Sequence, residues 1–164
     1  MMAQSTKERK IMVAVDEGEE SAHALIWCLN NMISSQFDDT LVLIYAQHIP
    51  ISYTGFNTSD LGFVFTPDVT ATMERHAAQL SKSVIEKAKK LCAETAGDVK
   101  VEAIVEIGDA REVISKAAES LGVDLLVMGS HGYGAIKRAF LGSVSNHCAQ
   151  SVKCPVLIVK KPKK

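Results

Sequence analysis

The sequence predicts an α/β fold built on an open five-stranded parallel sheet with helices on both faces. Two observations lead to this prediction. Short apolar runs typical of buried strands alternate along the chain with stretches whose apolar residues recur at helical spacing. In addition, a glycine-rich loop follows the fourth apolar run. By analogy with known α/β sheets, this pattern fits the strand order 3-2-1-4-5, in which the chain reverses direction between strands 1 and 4.

The first third of the chain predicts a βαβ unit. Residues 10–15 form a compact apolar run that ends at Asp16 and predicts strand 1. After a break at residues 17–20, apolar residues at helical spacing up to Ile33 predict helix 1. Asp38 and Asp39 mark the next turn. The apolar run that follows, residues 40–46, predicts strand 2.

Residues 47–66 form the longest stretch without a helix or strand pattern. Four of its residues are the aromatic residues Tyr53, Phe56, Phe63 and Phe65. A loop of about 20 residues is uncommon inside a compact domain unless it works as a lid or a binding segment. Two hypotheses follow: the segment covers a ligand or docks a partner, or its aromatic side chains only pack on the sheet edge or on helix 2.

Helix 2 and strand 3 come next. Pro67 suits the first position of a helix, and a long apolar stripe continues from there until Gly97 ends it. Residues 99–107 alternate polar and apolar over most of their length, which predicts a strand with one wetter face at a sheet edge. Asp109 is then expected to cap helix 3, with Glu112 completing a capping-box-like pair.

The last third of the chain predicts strand 4, helix 4 and strand 5. Residues 123–128 are an apolar run that ends abruptly in Gly129, and Ser143 is the expected N-cap of helix 4. Backbone N–H groups at a helix N-terminus lack partners inside the helix and favour phosphate. Asp16 ends strand 1 and Gly129 ends strand 4, so both are expected at the crevice where sheets with this reversal bind ligands.

Composition indicates one domain without a dominant charge. The chain has 164 residues, and 18 basic against 19 acidic residues give a net charge of −1, so no global field recruits nucleic acid or acidic lipid. Residues 1–9 lack the apolar region of a signal peptide and are expected to be a flexible segment before a single domain at residues 10–161. No apolar run approaches the roughly 20 residues of a membrane helix, so the expected compartment is the cytoplasm.

Two smaller features leave alternatives open. The basic residues of 160–164 are either a nuclear address or a solvated end of the chain. Cys28, Cys92, Cys148 and Cys154 form no C-x-x-C pair, which favours buried or incidental thiols over a disulfide, redox or metal role.

The glycine loop carries a recognisable motif. Gly129 and Gly132 are separated by two residues, nine residues follow, then come Gly142 and Ser143, and residues 154–159 read Cys-Pro-Val-Leu-Ile-Val. Over about residues 10–160 this closely resembles the nucleotide-binding branch of the universal stress protein family, in the form of a plant-like small single-domain member. The resemblance implies a Rossmann-like stress-response protein, usually dimeric, with ATP or AMP in the crevice.

The resemblance also implies roles for individual residues. Phosphates and ribose would be held by Gly129, Gly132, Gly142, Ser143 and Ser145, with a backbone N–H from Val144. Asp16 would lie near the ribose or near Mg²⁺ bound to the phosphates. Adenine would be framed by Ala14, Val15 and Ala46, with Met128 beneath the nucleotide.

Simpler interpretations stand beside these roles. The three glycines are also suited to turns and close packing, the two serines to helix capping, and Asp16 to capping helix 1. Lys137 and Arg138 either reach phosphate oxygens or form a solvated face. Gly18 stands where the family often has serine, and His131 where related sequences often have arginine; no role is assigned to His131.

Three functions are compatible with this sequence. No lysine follows Gly142, so the loop is not a Walker A motif. No catalytic base is evident, and Glu17, Glu19 and Glu20 are interpreted as first-turn helix charges. The favoured hypothesis is a nucleotide-dependent switch. The others are a weak ATPase or self-phosphorylating protein that uses Asp16 with Mg²⁺, and a holdase-like chaperone that acts through residues 47–66.

Strand 5 predicts a partner. It would be an edge strand with open hydrogen-bonding groups, which a two-fold copy can satisfy by antiparallel pairing through residues 155–160. Lys160, Lys161 and Pro162 could instead blunt this edge and keep the protein monomeric. The family resemblance favours the homodimer.

Overall fold

The computed structural model describes residues 7–48, 67–133 and 141–162. Within these residues, strands and helices alternate in the predicted order. The strands are β1 (Glu8–Ala14), β2 (Asp38–Gln47), β3 (Lys100–Ile107), β4 (Leu125–Gly129) and β5 (Val156–Val159). The helices are α1 (Glu19–Asn31), α2 (Pro67–Thr95), α3 (Ala110–Ser120) and α4 (Ser143–Ser151).

The five strands form one parallel sheet in the order β3-β2-β1-β4-β5, which confirms the predicted topology. β1 lies at the centre, where Ile11 is opposite Leu41 of β2 on one side and Leu125 of β4 on the other. The carboxyl ends of β1 and β4 therefore meet at the same edge of the sheet. Asp16 and Gly129 follow or end these two strands, as predicted.

An apolar layer covers each face of the sheet, which confirms the helices on both faces. On one face, Val13 and Leu43 pack in a cluster with Leu25 of α1. On the other, Met12 and Ile44 pack in a separate cluster with residues of α3 and α4. Consecutive strand residues thus point to opposite layers, so both faces of the central strands are buried. This explains why these strands are continuous apolar runs in the sequence.

An ion pair joins the beginnings of β1 and β2, and its two residues lie in strands that were predicted to begin later. Asp39 was interpreted as a turn residue and Arg9 as part of a flexible segment, but they lie in β2 and β1 as register partners. Arg9 donates from Nε and Nη2 to the two oxygens of Asp39, at 2.7 Å each, and from Nη2 to the carbonyl of Met32. The Asp39 side chain is only 1% exposed, so this bidentate pair is buried on the carboxylate side.

β3 lies at a sheet edge, as predicted, but its two faces differ less than the alternation indicated. The apolar face of the strand, which the alternation predicts to be buried, carries Val105 and Ile107, and these are 43% and 65% exposed. β2 is the neighbour of β3 in the sheet, and β3 ends the strand order. Among the described residues, Ala103, Val105 and Ile107 thus form an exposed apolar row along this edge.

The helix starts follow the predicted chemistry with one shift. Asp109 is the N-cap of α3 and accepts a hydrogen bond from the N–H of Arg111. α4 has Gly142 as its N-cap rather than the predicted Ser143, which is the first helical residue. The N–H of Gly142 donates to the carbonyl of Ser130 at 2.7 Å. This hydrogen bond holds Gly142 in place as the N-cap, so the helix begins one residue earlier than predicted.

The Asp109 cap gives a measurable stability effect. We expect Asp109→Ala to lower the free energy of unfolding by about 1 kcal/mol, because the helix loses its capping acceptor. The Arg111 side chain bonds to Asp109 and holds the pKa of that carboxyl at about 2, below the roughly 3.9 of an unfolded aspartate. The ionised Asp109 carboxylate therefore contributes its full share to the free energy of unfolding above about pH 4, and this contribution is lost as the pH falls towards 2. Urea unfolding of the wild type and Asp109→Ala at pH 7 and pH 2.5 measures the size of this loss and its pH dependence. If the difference in unfolding free energy between the two proteins is as large at pH 2.5 as at pH 7, the Asp109 carboxylate does not provide it.

The cysteines are free thiols, and Cys28, Cys92 and Cys148 are buried. Burial raises the pKa of Cys28 to about 12 and that of Cys92 to about 11. These thiols are thus protonated at neutral pH, which makes them poor nucleophiles.

None of the helices in the described part of the chain is long and apolar enough to cross a membrane.

Candidate functional site

A cleft opens at the carboxyl ends of β1, β2 and β4, between the loops that follow them and the first turns of α3 and α4. It lies where the chain direction reverses in the sheet, the place that α/β folds use for ligands. Nine of the eleven predicted site residues line it: Ala14, Val15, Asp16, Ala46, Met128, Gly129, Gly132, Val144 and Ser145. Gly142 and Ser143 are not among the lining residues. The lining also includes residues that were not predicted, namely Glu17, Ser21, Tyr45, His48, Ala110, Ile114, His131 and Tyr133.

The floor of the cleft is apolar and built from strand ends. Ala14 and Ala46 contribute small side chains, while Met128 and Ile114 are 4% and 5% exposed and close the bottom. Small and medium apolar side chains at this position leave room for a flat ligand group and remove water from it. The sequence pointed to the strand ends, but Ile114 comes from a helix that approaches only in the folded chain.

Asp16 connects the loop after β1 to the glycine loop. Its Oδ1 accepts hydrogen bonds from the N–H of Gly18 at 2.8 Å and from Oγ of Ser21 at 2.9 Å. Its Oδ2 accepts from the N–H of Tyr133 at 3.0 Å. The interpretation of Asp16 as the cap of α1 is wrong, since Gly18 is the N-cap of this helix and no side chain caps it there. The three hydrogen bonds instead hold the Asp16 carboxylate in one orientation in the cleft.

Glu20 makes a second connection, which the sequence analysis missed. Its Oε2 accepts from the backbone N–H of His131 at 2.8 Å and from Oγ of Ser130 at 3.0 Å. The Nδ1 atom of His131 lies 3.6 Å from the same oxygen, and both side chains are mostly buried. Glu20 does lie in the first turn of α1, as predicted. Its contacts are about 110 residues away, so local sequence gives no signal for them.

Gly129 and Gly142 lie in close packing where a side chain would be tight. A Cβ atom on Gly129 would lie 3.1 Å from the backbone carbonyl of Glu20, and one on Gly142 would lie 3.2 Å from Cα of His131. Gly132 is different, because its Cβ would make an ordinary contact of 3.4 Å with Oδ2 of Asp16. The packing interpretation therefore accounts for two of the three motif glycines and leaves Gly132, which faces the cleft.

The first turn of α4 closes another side of the cleft. Ser145 is 2% exposed, and its Oγ donates to the carbonyls of Ser130 and Gly142 at 2.8 and 3.1 Å. Its hydroxyl thus fastens α4 to the end of β4. The N-cap Gly142 provides no side-chain acceptor for this helix start, where the first backbone N–H groups, including that of Val144, have no partner inside the helix.

Glu17 has a partner in β2. Tyr45 is 2% exposed and donates from its hydroxyl to Oε1 of Glu17 at 2.8 Å. Burial, together with this hydrogen bond, raises the pKa of Tyr45, so the phenol stays protonated and remains a donor. The interpretation of Glu17 as a first-turn helix charge is wrong, since α1 begins at Glu19 with Gly18 as its N-cap.

A magnesium ion would find limited protein ligation here. Among the described residues, no group of three or more His, Cys, Asp or Glu side chains is placed to hold a metal ion. Asp16 uses three of the roughly four acceptor positions of a carboxylate within the protein. Mg²⁺ usually binds through one or two carboxylates, waters and substrate phosphates. Asp16 therefore fits a supporting ligand of an ion that arrives with phosphates.

Several predicted features lie outside the described residues. These are Lys137 and Arg138 of the glycine loop and all four aromatic residues of the segment 47–66.

The described cleft combines three kinds of group. It has an apolar floor, two carboxylates at Asp16 and Glu17, and the N-terminus of α4, whose N-cap glycine provides no side-chain acceptor. Carboxylates accept hydrogen bonds from hydroxyl donors and repel phosphate, whereas a helix N-terminus favours phosphate. The arrangement suits a ligand with a flat apolar part, hydroxyl groups and an anionic group.

Comparison with known proteins places this fold in a family. The model of the universal stress protein family matches residues 8–160. Universal stress protein PHOS34 of Arabidopsis thaliana is 33% identical over 94% of this chain, and YxiE of Bacillus subtilis (strain 168) is 30% identical over 92% of it. The chain spans 62% of the length of PHOS34, 65% of that of PHOS32 from the same plant, and 98% of that of YxiE.

A solved structure agrees in fold. A universal stress protein family protein from Arabidopsis thaliana, with AMP bound, has a TM-score of 0.66 at 23% identity, over 94% of this chain and 92% of that chain. Together with the match over residues 8–160, these similarities show that the chain belongs to the universal stress protein family.

Proposed function

We propose that this protein binds an adenine nucleotide, ATP or AMP, in the cleft at the carboxyl ends of β1, β2 and β4, and that the bound nucleotide acts as a switch in a stress response. The observation that carries the proposal is the position of the cleft. It brings the apolar floor, Asp16 and the start of α4 together at the reversal point of the sheet. The Arabidopsis relative in the family that holds AMP supports the choice of ligand.

The chemistry of the cleft suggests where each part of the nucleotide lies. Adenine is flat with two apolar faces, and these suit the floor between Ala46 and Met128. The ribose hydroxyls are donors and suit the carboxylate of Asp16. The phosphates suit the backbone of Gly132 and the N-terminus of α4, which is the positive end of that helix dipole. In this assignment Asp16 faces the ribose, and Mg²⁺ joins only with a phosphate chain that carries it.

The switch rests on two connections to the glycine loop, one from Asp16 in the loop after β1 and one from Glu20 in α1. Asp16 holds the N–H of Tyr133, and Glu20 holds the N–H of His131. A nucleotide that contacts Gly132 between them changes both connections at once. The bonding of Asp16 favours this positioning role over a role as catalytic base, so ATP hydrolysis is at most slow. We also place the protein in the cytoplasm as a homodimer that pairs through residues 155–160.

Isothermal titration calorimetry tests the ligand class. We expect AMP and ATP to bind at a one-to-one ratio, and we expect 2′-deoxy-AMP to bind about fivefold to tenfold more weakly, because a carboxylate loses a hydroxyl partner. GMP serves as the matched control for the base. Equal affinity for AMP and 2′-deoxy-AMP contradicts the ribose assignment, and the absence of binding heat for every adenine nucleotide contradicts the function.

A further inference from the structure

We propose that the outer edge of β3 is an interface for a second copy of this chain, which pairs with it antiparallel about a two-fold axis perpendicular to the sheet at Ala103. This contact is separate from the proposed nucleotide cleft and from pairing through residues 155–160. It rests on the exposed apolar row of β3 and on the order of charges along the strand.

The backbone of β3 offers hydrogen-bonding groups to a partner. The N–H of Gly108 donates to the carbonyl of Gln47 in β2 at 3.0 Å. Because backbone groups of successive strand residues point to opposite sides, the even-numbered residues of β3 turn towards β2 and the odd-numbered residues turn outwards. Val101, Ala103 and Val105 thus present donors and acceptors at the edge of the described sheet.

The exposed apolar row consists of three odd-numbered residues, Ala103, Val105 and Ile107, whereas Val101 is half-buried against the core. Val105 is 43% and Ile107 65% exposed, and Ala103 between Val101 and Val105 is also exposed. Native proteins usually protect a long edge strand with charges, bulges or a covering segment, because an apolar edge pairs with other strands. The apolar row is therefore the feature of β3 that a partner strand would complete.

Pairing about Ala103 matches every residue of this row with an apolar residue of the second copy. Val101 lies opposite Val105 of the other strand, and Ile107 lies opposite Val99, which directly precedes β3. Ala103 lies opposite itself, where a small side chain fits at the axis. The paired residues are all odd-numbered, and these are the residues whose backbone N–H and C=O groups face outwards. The same register therefore allows both the backbone hydrogen bonds and the apolar side-chain contacts between the two strands.

Charges on the other face select this register. With the axis at Ala103, Lys100 lies opposite Glu106 of the second copy, and the symmetry repeats this pair. Moving the axis by one residue in either direction places Glu102 opposite itself or opposite Glu106. Like charges directly opposite each other are destabilising. The sequence of β3 thus favours one self-complementary register over its immediate neighbours.

A charge-reversal cycle tests the interface. Sedimentation equilibrium over micromolar concentrations compares the full-length chain with Lys100→Glu, Glu106→Lys and the double variant. Each single variant converts two attractive pairs into two repulsive ones, so we expect association to weaken roughly tenfold. The double variant restores opposite charges and should restore association. Lys116→Glu on the exposed surface of α3 is the matched control for net charge.

The outcomes separate this contact from others. Because β5 lies at the opposite end of the sheet, a pair through residues 155–160 is insensitive to these reversals. Loss of one association step in both single variants, with recovery in the double variant, supports the β3 interface. A wild-type protein that does not associate, an association that the reversals leave unchanged, or a double variant that stays weak would overturn it. Circular dichroism of each variant checks that the fold is retained.

Discussion

Replacing Arg9 by methionine is expected to lower the free energy of unfolding by about 3–5 kcal/mol. Arg9 donates two hydrogen bonds of 2.7 Å to Asp39, whose side chain is 1% exposed. Methionine fills a similar volume but leaves the carboxylate buried without a counter-charge. The carbonyl of Met32 also loses its donor, and the contact of the guanidinium with the Phe37 ring at 3.9 Å is lost. Urea unfolding at pH 7 measures the effect.

A surface pair of the same chemistry provides the control. Arg111 bonds to Asp109 at 2.9 Å, but the two side chains are 51% and 45% exposed. Arg111→Met should therefore cost less than about 1 kcal/mol, because exposed ion pairs contribute little. If the two methionine variants lose similar stability, burial does not set the strength of the Arg9 pair. The double variant Arg9→Met with Asp39→Leu should recover most of the loss, since it removes the uncompensated charge.

Replacing Gly132 by valine is expected to weaken adenine-nucleotide binding at least about tenfold, or about 1.4 kcal/mol, while the fold is retained. A Cβ at this position makes an ordinary contact of 3.4 Å with Asp16, so the backbone can accept it. The added methyl groups then occupy the mouth of the cleft, where we place the phosphates and ribose. Calorimetric titration with AMP and thermal unfolding measure the two quantities separately.

Gly97→Val is the matched control for this change. Gly97 lies after α2, away from the cleft, and its Cβ would also make an ordinary contact, at 3.5 Å from the carbonyl of Ala93. This variant should keep the wild-type affinity. Gly129→Ala gives the opposite pattern, because its Cβ would meet the backbone of Glu20 at 3.1 Å and destabilise the fold. Equal affinity of Gly132→Val and wild type would remove Gly132 from the binding site.

The fold could be predicted from the sequence because its signals are local. The apolar runs of the central strands are continuous since both faces are buried, and Pro67 and Asp109 mark helix starts by their own chemistry. The cleft could be located because Asp16 and Gly129 end strands that become neighbours. The predicted lining residues therefore come mainly from strand ends and the loops that follow them.

The remaining features depend on contacts between distant parts of the chain. Asp38 and Asp39 have the composition of a turn, and only the pairing of Arg9 with Asp39 across two strands reveals a buried ion pair. Glu20 has the position of an ordinary first-turn helix charge, and its bonds to Ser130 and His131 follow from the close approach of α1 to Gly129. Periodicity and local propensity carry no information on such contacts.

The proposed nucleotide can be sought directly on the purified protein. Native mass spectrometry of the freshly purified full-length protein, followed by denaturation and identification of the released small molecule, shows whether an adenine nucleotide co-purifies and which one. We expect an adenine nucleotide on the wild type and on Gly97→Val, and its loss from a folded Gly132→Val. A wild type that stays free of nucleotide even after incubation with AMP or ATP, or equal nucleotide on all three proteins, would contradict the proposed nucleotide site.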